Sequence, residues 1–130
     1  MLRRFTLALS IATTAVLPGC NRVHPVAGGT RGMLHLGSEL TSDIQVTVHQ
    51  VEGSGTRPVG FAVTSLDGSF ELVLNGARGP LWLSPGEYRF TLESAGSPVQ
   101  LPHEFAGPDT TPLSVVWSAD DGDLDLDASS

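Results

Sequence analysis

Residues 87–93 read Glu-Tyr-Arg-Phe-Thr-Leu-Glu: Tyr88, Phe90 and Leu92 are apolar and every position around them is polar. Successive side chains of a strand point to opposite faces, so this stretch offers one face to a core and the other to water. It is the clearest strand in the chain, and the same period recurs on both sides of it. Upstream, Leu34 and Leu36 alternate with Met33 and His35, and Ile44, Val46 and Val48 alternate with Gln45, Thr47 and His49. Val59, Phe61 and Val63 alternate with Gly60, Ala62 and Thr64. Asp67-Gly68 then supplies residues tolerant of positive φ before Phe70, Leu72 and Leu74 resume the pattern, which predicts a hairpin turning between Ser65 and Ser69.

Downstream, Leu113, Val115 and Trp117 alternate with Ser114, Val116 and Ser118, and Leu124 and Leu126 stand between Asp123, Asp125 and Asp127. Residues 75–86 are rich in turn formers around Leu81-Trp82-Leu83, and predict a long loop whose apolar middle covers one end of the core. With 15 glycines and 9 prolines the chain has little room for long helices. Seven short alternating strands separated by turn signals predict an all-β fold, a seven-stranded antiparallel β-sandwich.

The chain has 130 residues, enough for one domain with a modest core once a leader is set aside. There is no lysine, and Arg3 and Arg4 fall in the expected leader. Five arginines then face fourteen acidic residues, a formal charge of −9 for the remainder. Charge of that sign repels phosphate backbones and acidic headgroups, so no nucleic acid is expected as a partner.

Arg3 and Arg4 precede an apolar run from Thr6 to Leu17 broken only by Ser and Thr, the layout of an export signal. As a helix its twelve residues would reach ~18 Å, short of a hydrocarbon core of about 30 Å, so a permanent span is disfavoured. The run ends in Leu17-Pro18-Gly19-Cys20, which resembles the lipobox of bacterial lipoproteins, with Pro18 where Ala, Ser or Thr is usual. The resemblance implies a signal peptide over residues 1–19, cleavage between Gly19 and Cys20, and diacylglycerol in thioether linkage to the Cys20 sulfur, with acylation (palmitate or a similar chain) of the new amino group. At about 0.8 kcal/mol per buried methylene, two or three chains hold a protein on a membrane stably where one would not. The alternatives, a buried free cysteine or a bystander beside an ordinary cleavage site, must place the chain's one cysteine at the end of the export run by coincidence. Asn21, not Asp, follows the cysteine, which by resemblance to sorting rules points to the outer membrane. Residues 20–30, with Pro25, Gly28 and Gly29, read as the lipidated cysteine and a flexible tether, and residues 31–127 as the domain.

Gly32-x-Leu34-x-Leu36, the strand of Ile44, Val46 and Val48, Thr64-x-x-Asp67-Gly68-x-Phe70, and Pro85-Gly86-Glu87-Tyr88-x-Phe90 resemble, in order, the signatures of the carboxypeptidase regulatory-like domain, a transthyretin-like sandwich. Leu101-Pro102-x-x-Phe105, Thr111-Pro112-Leu113 and Asp123-Leu124-Asp125-Leu126 resemble the tail of small envelope lipoproteins that carry such a domain alone. Gly37-Ser38-Glu39-Leu40-Thr41 departs from the family's usual Gly-x-Pro-Leu turn. The resemblance implies a non-catalytic module, and it brings no active-site residues with it.

Asp121-x-Asp123-x-Asp125 begins like an EF-hand, but Leu126 occupies the glycine position and the twelfth position falls beyond Ser130, so the acidic end reads as a solvated edge strand. A looser calcium site there is the lesser alternative. His35 and His49 fall on outward faces and could converge if their strands pair, yet no carboxylate is spaced to complete a zinc site. His103-Glu104 lacks metallopeptidase spacing, and no Gly-x-Ser-x-Gly elbow is present. No metal, cofactor or catalytic residue is expected. Trp117 shares phase with Leu113 and Val115 and reads as core. Trp82 reads as part of a lid, with a sugar-stacking platform as its functional alternative. The expectation is a lipid-anchored, non-enzymatic envelope module that meets other envelope proteins, or alternatively a carbohydrate-binding one that meets polysaccharide.

Overall fold

The computed structural model describes residues 28–37 and 41–129. Cys20, Gly19 and the rest of the leader, most of the tether, and Ser38–Leu40 of the departing turn lie outside the described residues.

The described chain is mostly β, in two sheets, with two short 3₁₀ turns and no α-helix. Eight strands follow in order: β1 (Arg31–His35), β2 (Ile44–Glu52), β3 (Gly55–Val63), β4 (Ser69–Glu71), β5 (Val73–Leu74), β6 (Gly86–Ser94), β7 (Ser114–Trp117) and β8 (Leu124–Asp127). A five-stranded sheet runs β5-β3-β2-β6-β7 and a three-stranded sheet runs β4-β1-β8. One core lies between their inner faces: Val46, Val48, Phe90 and Leu92 from the larger sheet meet Leu34, Phe70, Leu124 and Leu126 from the smaller.

β6 is the strand its sequence predicts. Tyr88, Phe90 and Leu92 are buried, and β6 pairs with β2 from Ile44↔Ser94 to Gln50↔Tyr88. β2 and β3 form a hairpin that closes through Gly53-Ser54, with Glu52 opposite Gly55 and Gly53 at φ 57. Positive φ at the first central residue alone suits Gly-Ser, the pattern of a type II′ turn.

Three expectations are corrected. The count of seven becomes eight because the run from Phe70 to Leu74 changes sheet at Leu72: Phe70 pairs with Gly32 of β1, whereas Val73 pairs with Phe61 of β3. The Asp67-Gly68 turn exists, held by Asp67 Oδ1 accepting from Ser69 N at 3.0 Å, but it carries the chain from one sheet to the other. The fold is not wholly antiparallel, since β1 and β8 run parallel from Gly32↔Leu124 to His35↔Asp127.

β3 also takes the opposite phase. Gly60 and Ala62 face the core while Val63 is 45% exposed, because registry with β2 puts Ala62 opposite Val46 and Gly60 opposite Val48. There is no room for more at Gly60: an added Cβ would overlap the Val73 carbonyl and the Leu81 side chain. Apolar residues on both faces of β3 made its phase unreadable from alternation alone.

Candidate functional site

The described chain begins inside the fold. Gly28–Thr30, expected as the end of a flexible tether, are hydrogen-bonded to two other segments. Gly29 N donates to Leu72 O at 2.8 Å, Leu72 N donates to Thr30 O at 2.9 Å, and Thr30 N donates to Leu81 O at 2.9 Å. The buried Thr30 hydroxyl accepts from Leu83 N at 2.9 Å. The two glycines are required by proximity, because a Cβ at Gly29 would overlap the Leu81 backbone and one at Gly28 the Glu71 side chain.

This staple fixes the loop that carries Trp82. Leu83 is buried and Leu81 packs against the core, so the apolar middle of the loop does cover the core, as its composition predicts. Trp82 between them points the other way and is 69% exposed. An exposed tryptophan held between two anchored leucines is an aromatic face on a rigid mount. Trp117 is only 7% exposed, as its phase with Leu113 and Val115 predicts.

Beside Trp82 lies a depression of about 700 Å³, whose lining includes Trp82, Leu83, Pro85 and Trp117, the acidic Asp121 and Asp123, and the segment Gly28–Thr30. It shares Arg31, Glu71 and Asp123 with a second depression of about 600 Å³ that reaches Met33, Ser69 and Val63. The shared residues make the two a single shallow trough across the outer face of the three-stranded sheet. Arg31 and Glu71 face outward on neighbouring strands in direct register. No described residue forms an ion pair with Arg31. Glu71 Oε1 accepts from Gly28 N at 3.2 Å, and Asp121 Oδ2 from Ser118 N at 2.7 Å, so each carboxylate also orders the trough's backbone.

The other candidates are not brought together. His35 is on β1 and His49 on β2, in different sheets. His35 Nε2 meets Asp125 Oδ1 at 3.0 Å on the exposed face of β8. His49 Nε2 pairs with Thr91 Oγ1 at 2.9 Å, its Nδ1 is buried without a partner, and burial lowers its pKa below the ordinary histidine value. His103 and Glu104 are exposed on a short turn, His103–Ala106, that is anchored by the buried Phe105. Along the acidic end, Asp127 accepts from Ser129 through both backbone and hydroxyl, which lowers its pKa, with a further contribution from the nearby His35. Among the described residues no three His, Cys, Asp or Glu side chains are grouped to hold a metal ion.

Sequence reading singled out Trp82 but passed over Arg31, Glu71 and Thr30. Arg31 and Glu71 meet through a β1–β4 pairing across about forty residues, and Thr30 through hydrogen bonds to Leu72, Leu81 and Leu83; no local pattern announces either. No protein-family model, no curated protein and no solved structure matches the chain.

Proposed function

We propose that this protein is a lipid-anchored, non-enzymatic β-sandwich module of the bacterial cell envelope, with a structural or protein-interaction role. The observation that carries the reading is Leu17-Pro18-Gly19-Cys20 at the end of an arginine-led apolar run, with the chain's only cysteine where lipid would be attached. The two sheets around one core support the sandwich, and the ordered signatures of the carboxypeptidase regulatory-like domain support a transthyretin-like version of it with no catalytic duty. Seven residues, eight Cα–Cα steps, separate Cys20 from Gly28, the first described residue and already hydrogen-bonded into the fold, so Gly28 stands at most about 28 Å from the lipidated cysteine and the trough is kept close to the membrane. Asn21 directs the anchored chain to the outer membrane.

The anchor is tested in growing cells. Globomycin should accumulate the uncleaved chain, and mass spectrometry of the N-terminal peptide should show acyl chains on Cys20. Processing and membrane association that continue unchanged in Cys20→Ser would overturn the reading.

A further inference from the structure

We infer that the trough binds an uncharged, polyhydroxylated ligand, a neutral oligosaccharide, with the Trp82 indole as its stacking platform and Arg31 and Glu71 as its hydrogen-bonding groups. This deepens the envelope-module reading and rests on it only for where the ligand is met.

The inference starts from the cost of leaving Trp82 where it is. An indole 69% exposed forgoes the burial that its neighbours Leu81 and Leu83 obtain, although the same loop stands within reach of the core. The mount is rigid, because Leu81 and Leu83 are each hydrogen-bonded to Thr30, so the ring is presented and does not merely trail into solvent. An aromatic face with polar groups beside it fits the apolar C–H face and hydroxyl rim of a sugar ring.

The charges exclude one ligand class. Glu71, Asp121 and Asp123 outnumber Arg31, so the trough is net negative and repels an anion. The choice of a polyol rests on the exposed indole and on donors and acceptors standing side by side at Arg31 and Glu71, and a cationic peptide is the competing outcome that the test must separate. The five N–H donors of Arg31 and the acceptors of Glu71 and Asp123 both find partners on hydroxyl groups, each of which donates and accepts. A chain of rings would run from Trp82 across Arg31 toward Met33, along a trough lined also by the anchored segment Gly28–Thr30.

The test uses the full chain purified in detergent and a panel of cello-, xylo-, malto- and N-acetylglucosamine oligomers, followed by tryptophan fluorescence and calorimetry. At least one oligomer should shift the tryptophan emission to the blue, and the shift should be lost in Trp82→Ala, which leaves Trp117 in the wall of the trough. Trp82→Ala should weaken binding about tenfold or more and Arg31→Ala by a smaller factor, with melting temperature unchanged in both. Val116→Ser, a change at an exposed site outside the trough, should bind as the parent does. Affinity undiminished in Trp82→Ala, binding of an arginine-rich peptide in place of every sugar, or no binding across the panel would each overturn the inference. Cys20→Ser separates the two readings: the unanchored chain should bind sugar as the parent does, whatever becomes of its location.

Discussion

The two sheets are built by different rules. The five-stranded sheet has at its centre β3, β2 and β6, each nine residues long, and β2 and β3 meet through a two-residue turn. The three-stranded sheet is assembled from five residues near the start of the domain, three from its middle and four from its end. Its parallel pair joins residues about ninety positions apart. The first sheet holds one local pairing, the β2–β3 hairpin, while the second has none: its pairings join segments about forty and about ninety residues apart, at a higher cost in loop entropy. The outward residues Arg31 and Glu71 of the trough lie on the second sheet. That polar lining therefore depends on the part of the fold that local sequence specifies least.

The largest effect comes from attacking the shared core from each side. Phe90 has no exposed surface, and Phe90→Ala should cost ~3–5 kcal/mol, a large share of a domain's total stability. Leu126 is 1% exposed, and Leu126→Ala should cost ~2–5 kcal/mol. The two should differ in kind. Hydrogen exchange should show protection lost throughout the molecule in Phe90→Ala, but chiefly in β1, β4 and β8 in Leu126→Ala. Equal loss in both sheets for both variants would erase the distinction, and the sheets would then open as one unit.

What was legible follows the same division. Tyr88, Phe90 and Leu92 declare β6 because every neighbour is polar, and Ile44, Val46 and Val48 declare β2. Val59 to Val63 could not declare a face, because both phases are apolar, and cross-strand registry with β2 decided it. The switch of sheet at Leu72 has no local signal either. Leu72 N and O both bond outside their own neighbourhood, to Thr30 and to Gly29 and Leu81, so the change is fixed by partners far off in the chain. Trp82 could be named from sequence as a candidate because it stands between two leucines in a turn-rich loop. Arg31 and Glu71 look there like any outward strand residues.

A smaller effect probes how tightly the second sheet closes. Gly32 sits where a Cβ would come within 2.8 Å of the Leu124 Cβ and of the Phe70 ring. Phe70 and Leu124 belong to the two strands that flank β1, so Gly32 is the point at which all three meet. Gly32→Ala should cost ~1–3 kcal/mol through overpacking. Gly122→Ala, where nothing lies within 4 Å of an added Cβ, should be nearly neutral in the same thermal denaturation assay. A neutral Gly32→Ala would mean that the three-stranded sheet is looser than the structure shows.

The smallest effect separates the imidazole of the five-stranded sheet from the carboxylates by acid. His49 stands on the outer face of the five-stranded sheet opposite Arg89, with its Nδ1 buried and unpartnered, and burial lowers its pKa from 6.5. A folded-state pKa below the unfolded one means that the unfolded chain takes up the proton first. Stability is therefore whole above 6.5, falls as pH drops below that value, and levels off once the folded form is protonated too. Asp67 and Asp127 act lower down, at the turn into β4 and at the end of β8. Hydrogen bonds from Ser69 and Ser129 lower their pKa from 3.8, so their contribution is present above 3.8 and is lost as pH falls through the folded-state values. On acidification the His49 contribution should be lost first and the carboxylate contributions second, the latter including Glu52 at the end of β2, whose pKa is lowered from 4.5 by its hydrogen bond from Arg57 and by the Arg57 charge. Urea denaturation across pH should show the upper step vanish in His49→Gln while the lower one remains. An upper step that survives His49→Gln would assign the acid sensitivity to another group.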